Sequence, residues 1–126
     1  MSNSSPYELL GGEEKIQALA KAFYQAMDET TEAVEIRQMH ARNLEEVEQR
    51  LFEYLSGWLG GPSLYLEKHG TVCLTSPHKP YTITSDHRDQ WLLCMDKALE
   101  AIDASEQVKS MLKEPMFRLA DFIKNA

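Results

Sequence analysis

The sequence predicts an all-α protein, and two observations lead to this prediction. Apolar residues recur along most of the chain at the spacing of one face of an α-helix. No segment alternates apolar and polar residues with the β-branched side chains that are typical of a strand. The chain has 126 residues, which is long enough for one packed core. We therefore expect a single domain over residues 1–126.

The first two helices are predicted on either side of a glycine pair. Residues 5–8 read Ser-Pro-Tyr-Glu, which is the pattern of a capping box with proline in the first turn. Gly11 and Gly12 should end this short helix, and Glu13 and Glu14 favour the start of the next. The second helix should bury a stripe made of Ile16, Leu19, Ala20, Phe23 and Met27, with Tyr24 at its edge.

The middle of the chain is predicted to hold one long helix and one short one. A charged stretch over residues 30–42 should contain one or two short turns, and Asn43 should then cap the long helix. Gly-Gly-Pro at residues 60–62 should end it. A short helix ending at Gly70 and an irregular stretch over residues 71–84 follow. The apolar face of the long helix consists of Leu44, Val47, Leu51, Tyr54, Leu55 and Trp58.

Two further long helices are predicted towards the C-terminus. Thr84 or Ser85 should cap the first of them, and the second should start near Ser105. Pro115 lies inside the second pattern and should kink or split that helix, because proline lacks a backbone N–H. The two stripes are Trp91, Leu92, Met95, Ala98, Leu99 and Ile102, and then Val108, Met111, Leu112, Met116, Leu119, Phe122 and Ile123.

Charge and cysteine content limit the classes of function. The formal net charge of -7 argues against nonspecific binding to nucleic acid or to an anionic membrane, since both favour positive charge. The N-terminus does not have the pattern of a signal peptide, and no stretch is apolar over the length of a membrane span. Cys73 and Cys94 are too few for a disulfide framework and suit a reducing cytoplasm. We expect a cytoplasmic protein, with Cys94 as a small buried apolar residue.

His78 is the residue that stands out as a candidate for chemistry. It lies in the stretch "TSPHKPYTIT", between Pro77 and Pro80, and prolines reduce the backbone entropy that is lost when a segment is fixed. The neighbouring cysteine and histidines do not have the spacing of a zinc site. Two interpretations of His78 stay open at this point. It is either a half-buried loop histidine bonded to a carbonyl, or the single protein ligand of a metal, as for haem iron in globins.

Four sequence blocks carry a resemblance to a known family. They are "AFYQAM" at residues 22–27, "FEYLSGWLGGP" at 52–62, "PHKPYTI" at 77–83 and "RDQWLLCM" at 88–95. In this order and spacing they closely resemble the group II truncated haemoglobins of bacteria, over about residues 7–123. The resemblance implies a truncated globin fold, in which a two-over-two helical sandwich encloses haem b. It also implies binding of oxygen, carbon monoxide and nitric oxide, and a reductase as partner.

The resemblance assigns His78 as the proximal ligand of the haem iron. The family usually has basic residues just before this histidine that hold the haem propionates, whereas residues 71–77 here carry no positive charge. Lys79 is therefore the expected propionate anchor, and Lys68, His69 and Arg50 are the other candidates. The complete set expected to contact the haem is His78, Lys79, Tyr81, Ile83, Leu51, Tyr54 and Trp91.

The resemblance also implies a distal side with polar side chains. Tyr24, His40 and Trp91 are expected to face the bound ligand, together with the apolar Val47 and Leu51. A hydrogen bond to a ligand that gains negative charge contributes about 1.5–3 kcal/mol, so two or three such bonds would slow oxygen release strongly. His40 is also a hypothetical sixth ligand of the iron in the resting protein.

Three functions remain open from the sequence. The first is oxygen binding or storage, including oxygen-dependent redox chemistry, and the second is removal of peroxide or nitric oxide on the same scaffold. The third is a helical interaction module without haem, in which Tyr24 and Trp91 are ordinary packing residues. The presence of His78, Tyr24 and Trp91 together favours the two haem functions.

Overall fold

The computed structural model describes residues 5–71, 73, 78 and 80–126. Within these residues the chain folds into α-helices joined by turns and one 3₁₀ turn, and no strand occurs among them. The all-α prediction is therefore confirmed. The helices are α1 (Pro6–Leu10), α2 (Glu13–Glu29), α3 (Val34–Gln38), α4 (Glu45–Trp58), α5 (Leu64–His69), α6 (Ser85–Ala101) and α7 (Glu106–Ile123), with the 3₁₀ turn at Thr31–Ala33.

The long helices pack as two pairs around a common core. α2 lies against both α4 and α6, and α6 also packs on α7. The predicted stripe of α2 is almost completely buried, and apolar side chains from the other three helices meet it. Burial of this apolar surface is the main favourable term in holding the helices together. In the described part of the chain, none of the helices is long and apolar enough to cross a membrane.

The N-terminal signals act as the sequence predicts. The Ser5 hydroxyl accepts the Glu8 backbone N–H at 3.3 Å, and the Glu8 carboxylate accepts the Ser5 N–H at 3.1 Å. Gly11 then adopts φ of 119°, in the left-handed region where a side chain would be strained. This turn directs α2 across the core.

Helix α4 starts one residue later than the sequence pattern suggests. Its first residue is Glu45 and Leu44 occupies the cap position, without a side-chain bond of its own. The Asn43 side chain still contributes, because its Oδ1 atom accepts the Glu45 backbone N–H at 2.8 Å. Asn43 therefore satisfies one of the N–H groups at the start of α4.

Helix α7 continues through Pro115 and is not split there. Proline at this position removes the backbone donor that would bond the carbonyl of Met111, four residues earlier. Met111 is 40% exposed, so solvent can reach that part of the helix. The surrounding core contacts keep both halves in one helix, with Leu112 and Met116 both buried.

Cys94 is fully buried on α6, as predicted. Burial raises the pKa of its thiol to about 11, so the thiol stays protonated and acts as a small apolar residue. Cys73, by contrast, is exposed.

Candidate functional site

An apolar cavity of about 390 Å³ opens between α2, α3, α4, α6 and the segment that follows His78. Its volume is in the range of small-molecule and cofactor sites. Among the described residues, no aspartate or glutamate lines it. The lining consists of Phe23, Tyr24, Met27, Ile36, Met39, His40, Val47, Arg50, Leu51, Tyr54, Leu55, Tyr65, His69, His78, Tyr81, Ile83, His87, Arg88, Trp91, Leu119, Ala120 and Ile123.

The cavity brings together the site residues that the sequence predicts. Its lining includes His78, Tyr81, Ile83, Leu51, Tyr54, Trp91, Tyr24, His40 and Val47. Lys79, the expected propionate anchor, lies outside the described residues. The residues converge from distant parts of the chain, and their individual roles remain predictions.

His78 is half-buried at the edge of the cavity. Its backbone carbonyl accepts the N–H of Tyr81 at 3.0 Å, which closes a turn around Pro80. The proline ring fixes φ within that turn. The turn therefore restrains the backbone directly after the imidazole.

Tyr24 presents a phenol from α2 that stays protonated. Its side chain is 9% exposed, and its ring packs edge-on against Phe23 with centroids 4.9 Å apart. Burial raises the pKa of Tyr24 well above its ordinary value, and the nearby Glu48 carboxylate adds to the effect. Tyr24 is consequently a hydrogen-bond donor at any physiological pH.

The protonation pattern of His40 follows from its hydrogen bond to Ile36. Its Nδ1 atom lies 2.7 Å from the carbonyl oxygen of Ile36, which can only accept, so Nδ1 must carry a proton. Burial lowers the pKa of His40, and the nearby guanidinium of Arg37 lowers it further, although the hydrogen bond to Ile36 acts in the opposite direction. In the neutral ring Nε2 therefore holds a lone pair.

Two aromatic contacts join the predicted distal residues. The rings of Tyr24 and His40 meet edge to face with centroids 5.7 Å apart. The Trp91 ring, from α6, lies 5.2 Å from that of Phe23, the neighbour of Tyr24 on α2. Such pairs add packing energy beyond simple burial and limit rotation of the rings. Tyr24, His40 and Trp91 thus form one aromatic cluster at the cavity wall.

A polar link connects α3 to α6 beside this cluster. The Gln90 side chain accepts the Ile36 backbone N–H at 3.3 Å and donates to the Glu35 carboxylate at 2.7 Å. His87 belongs to the same link, because its Nε2 atom is 4.0 Å from Glu35. A helix of five residues is not stable alone, so α3 depends on such contacts for its position.

His87 also caps α6. Its Nδ1 atom accepts the Thr84 backbone N–H at 3.0 Å, while the Thr84 hydroxyl accepts the His87 N–H at 3.3 Å. Because Nδ1 accepts a hydrogen bond here, the neutral ring carries its proton on Nε2, the atom that faces Glu35. The sequence predicts Thr84 or Ser85 as the cap, and the structure has Thr84, with His87 as a partner for which the sequence gives no signal.

A buried carboxylate ties α4 to α5 behind the cavity. Glu53 is 4% exposed and accepts hydrogen bonds from Gln49 at 3.1 Å, Lys68 at 3.0 Å and His69 at 3.1 Å. Burial alone would raise the pKa of Glu53, but these donors outweigh it and hold the pKa below its ordinary value. Lys68 and His69 are therefore engaged by Glu53.

Aromatic rings extend the cavity wall next to that carboxylate. The Tyr65 ring lies 4.3 Å from His69 and 5.8 Å from Tyr54, measured between centroids. Tyr65 is a lining residue that the sequence analysis missed. It sits on a short helix whose apolar face cannot be assigned from so few residues.

Two arginines line the cavity as well. Arg50 pairs with the exposed Glu46 on its own helix. Arg88 donates to Asp121 at 2.9 Å and lies over the Phe117 ring at 4.8 Å. Arg88 was not predicted as a site residue, although it lies three residues before Trp91 and so shares a face of α6 with it.

A scan against protein families matches this chain over residues 5–125 to the family described as bacterial-like globin. Among characterised proteins, the group 2 truncated hemoglobin YjbI of Bacillus subtilis (strain 168) is 31% identical over 111 residues. That match covers 88% of this chain and 81% of the relative.

Solved structures with the same fold include bacterial proteins of this type. One is the cold-adapted truncated hemoglobin from the Antarctic marine bacterium Pseudoalteromonas haloplanktis TAC125, with a TM-score of 0.93 and 41% identity over 98% of this chain and 99% of that one. Another is the group II 2-on-2 hemoglobin from the plant pathogen Agrobacterium tumefaciens, with a TM-score of 0.92 and 34% identity over 99% of this chain and 97% of that one.

Proposed function

Because this chain belongs to the bacterial-like globin family and is a group II truncated haemoglobin, we propose that it binds haem b in the cavity and retains oxygen there for storage or for oxygen-dependent redox chemistry. One observation carries the proposal. His78 and the aromatic cluster of Tyr24, His40 and Trp91 line the same apolar cavity, although they lie far apart in the chain.

The residues present fit a haem. A porphyrin needs a flat apolar pocket, and this cavity is walled by aromatic and aliphatic side chains without a carboxylate among its described lining residues. The iron needs an imidazole ligand, and His78 supplies one at the edge of the cavity. The propionates need cations, and Arg50 lines the cavity and pairs, among the described residues, with the exposed Glu46.

In this proposal each side chain has a specific task. His78 would coordinate the iron, and Lys79 and Arg50 would neutralise the propionates. The walls are formed by Leu51, Tyr54, Tyr81, Ile83 and Trp91. When bound, the haem would supply reversible binding of a diatomic ligand, which is oxygen, carbon monoxide or nitric oxide.

The distal residues determine how long a ligand stays. Tyr24 can donate a hydrogen bond to a ligand that gains negative charge, because its phenol remains protonated. The indole of Trp91 is a donor only, and Val47 and Leu51 exclude water. Neutral His40 differs from the donor that the sequence suggests, because its Nδ1 proton is already bonded to Ile36. Slow release of this kind suits retention of oxygen better than short-term transport.

Absorption spectra test the haem assignment. We expect the purified protein to be red, with a Soret band that shifts when carbon monoxide is added after reduction. A reductase in the cytoplasm, as we propose, would keep the iron ferrous. A colourless protein with a normal helical circular dichroism spectrum, even after addition of haem, would contradict the assignment and favour a haem-free helical module.

One observation favours a second candidate function, the removal of peroxide. The lone pair on Nε2 of neutral His40 can accept the proton of hydrogen peroxide, and a base with a lowered pKa remains unprotonated at neutral pH. We would then expect peroxide turnover with a phenolic donor that falls when His40 is replaced by Phe. Oxygen binding without such turnover would support the first function alone. Removal of nitric oxide is the further alternative, and its turnover is measured on the same variants.

A further inference from the structure

We propose that Asn125 is a positioning residue that fixes the segment after His78, and through it the presentation of the His78 imidazole to the iron. The inference rests on the proposed function, because it concerns the same histidine. Asn125 was not among the site residues that the sequence predicts, and it does not line the cavity.

Asn125 forms hydrogen bonds to the segment with its side chain and with its backbone. Its Oδ1 atom accepts the Ile83 N–H at 2.8 Å, and its Nδ2 atom donates to the Tyr81 carbonyl at 2.8 Å. Its backbone N–H donates to the Ile83 carbonyl at 2.9 Å. The amide side chain thus satisfies both a donor and an acceptor that would otherwise bond only to water.

The clamped segment connects directly to His78. The Tyr81 N–H donates to the His78 carbonyl at 3.0 Å, and Pro80 fixes φ in the turn between them. Tyr81 and Ile83 both line the cavity. Asn125 therefore restrains Tyr81 and Ile83. Tyr81 bonds the His78 carbonyl, and the side chains of both residues line the proposed haem site.

The end of α7 gives Asn125 a fixed base. Asp121, in the last turn of α7, accepts a bond from Arg88 of α6 at 2.9 Å, and its carbonyl accepts the Lys124 N–H at 3.2 Å. The Arg88 guanidinium also lowers the pKa of Asp121, so this pair is charged at neutral pH. The segment after His78 is consequently held to the helical core through α7.

Residues 81–84 are exposed in part, and the hydrogen bonds of Asn125 restrain them where burial does not. Tyr81 is 44% exposed, and residues 81–84 belong to no helix. Burial alone would leave this stretch poorly restrained, whereas three hydrogen bonds from one residue define its path. A histidine attached to a restrained backbone loses less entropy when it binds a metal.

Replacement of Asn125 by Leu tests the proposal on the haem-loaded protein. Asn43→Leu is the matched control, because Asn43 is also an exposed asparagine whose Oδ1 accepts one backbone N–H at 2.8 Å, at the start of α4. Two quantities are measured. The first is the exchange rate of the Ile83 amide proton in the carbon monoxide form, and the second is the iron–histidine stretching band in the resonance Raman spectrum of the ferrous form.

We expect Asn125→Leu to accelerate exchange at Ile83 by about tenfold and to shift or broaden the iron–histidine band. Asn43→Leu should leave both unchanged. Faster exchange with an unaltered band would overturn the proposal, since Asn125 would then stabilise the segment without positioning His78. If Asn125→Leu does not fold, the same two quantities are measured in Asn125→Asp. This variant keeps the acceptor for the Ile83 N–H and removes the donor to the Tyr81 carbonyl. An unaltered band in that variant would also overturn the proposal.

Failure of the proposed function gives a different result. If the wild-type protein binds haem but shows no iron–histidine band, or binds no haem, the assignment of His78 as ligand fails, and the proposal for Asn125 fails with it. If the wild-type protein shows a normal iron–histidine band and the Asn125 variants do not alter it, the positioning role of Asn125 fails while the assignment of His78 as ligand stands.

Discussion

The Nδ1 atom of His40 donates its proton to the carbonyl oxygen of Ile36, across 2.7 Å. This bond decides what His40 can do in the cavity. In the neutral ring the remaining nitrogen is an acceptor, so of the three residues proposed to face a bound ligand, Tyr24 and Trp91 would be the donors. Protonation of His40 would add a third donor. The hydrogen bond between His40 and Ile36 therefore predicts that ligand retention depends on pH.

We expect ligand retention to increase as the pH falls through the pKa of His40. This pKa lies below its ordinary value of 6.5 because the ring is buried. At acidic pH the Nε2 atom becomes an N–H donor, and oxygen release should slow by roughly tenfold for one added bond of about 1.4 kcal/mol. Stopped-flow measurement of oxygen release between pH 7.5 and 5 checks this. A rate that changes equally in His40→Phe would contradict it.

His40 should also make the free energy of unfolding decrease as the pH falls, whereas ligand retention increases. A buried histidine with a lowered pKa is protonated more readily when the chain is unfolded, so the unfolded state binds more protons as the pH falls. The contribution of neutral His40 is complete above about pH 6.5 and is lost as the pH falls through the folded pKa. Urea unfolding should show a smaller loss of stability between pH 7 and 5 in His40→Phe than in the wild type. Equal losses would contradict the lowered pKa.

Tyr24→Phe should release oxygen faster. The substitution removes the phenolic O–H and keeps the ring that packs against Phe23. Loss of a donor worth about 1.5–3 kcal/mol corresponds to an acceleration of roughly ten- to hundredfold. Tyr54→Phe is the control, because Tyr54 lines the same cavity but is expected only to form its wall. Equal rates in the two variants would remove Tyr24 from its distal role.

Glu53→Leu should destabilise the fold by about 1–3 kcal/mol at pH 7, because the variant loses the hydrogen bonds that Gln49, Lys68 and His69 donate to the buried, charged Glu53. Denaturant unfolding measures this, with Glu114→Leu as control, since Glu114 forms a comparable but exposed pair with Arg118. The pKa of Glu53 is lowered, so its contribution is present above the unfolded value of about 4.3 and is lost as the pH falls below it. If the difference in unfolding free energy between wild type and Glu53→Leu stayed the same in acid, the charged pairing of Glu53 with Lys68 would be contradicted.

Gln90→Met should loosen α3. Methionine has a similar length but cannot bond Ile36 or Glu35, so the Ile36 amide proton should exchange faster by roughly tenfold. Gln25→Met is the matched control, because Gln25 bonds a glutamate on the surface of α2. Unchanged exchange in Gln90→Met would show that core contacts of Ile36 alone hold α3.

Local patterns in the sequence predict the helices and part of the cavity lining. Helical periodicity places Tyr24 and Trp91, and the residues around His78 carry the family resemblance. The local effect of Pro115 predicts a kinked or split helix, whereas its buried neighbours Leu112 and Met116 keep α7 in one helix. Local propensity cannot account for this, because tertiary packing often outweighs it.

The polar links around the cavity could not be predicted in the same way. Gln90 bonds a backbone group 54 residues away, and Asn125 bonds one that is 42 residues away. A bond between a side chain and a distant backbone leaves no periodic signal in the sequence. The tautomer of His40 depends on a local carbonyl, but only the fold shows that the ring turns towards it.

The absorption spectrum of haem-reconstituted His78→Ala tests the central claim most directly. His69→Ala is the control, since His69 lines the same cavity and bonds Glu53. We predict that His78→Ala loses the haem or shows altered ferrous and carbon monoxide spectra that added imidazole restores towards those of the wild type. His69→Ala should keep the wild-type spectra. Unchanged spectra in His78→Ala would contradict the assignment of His78 as the iron ligand.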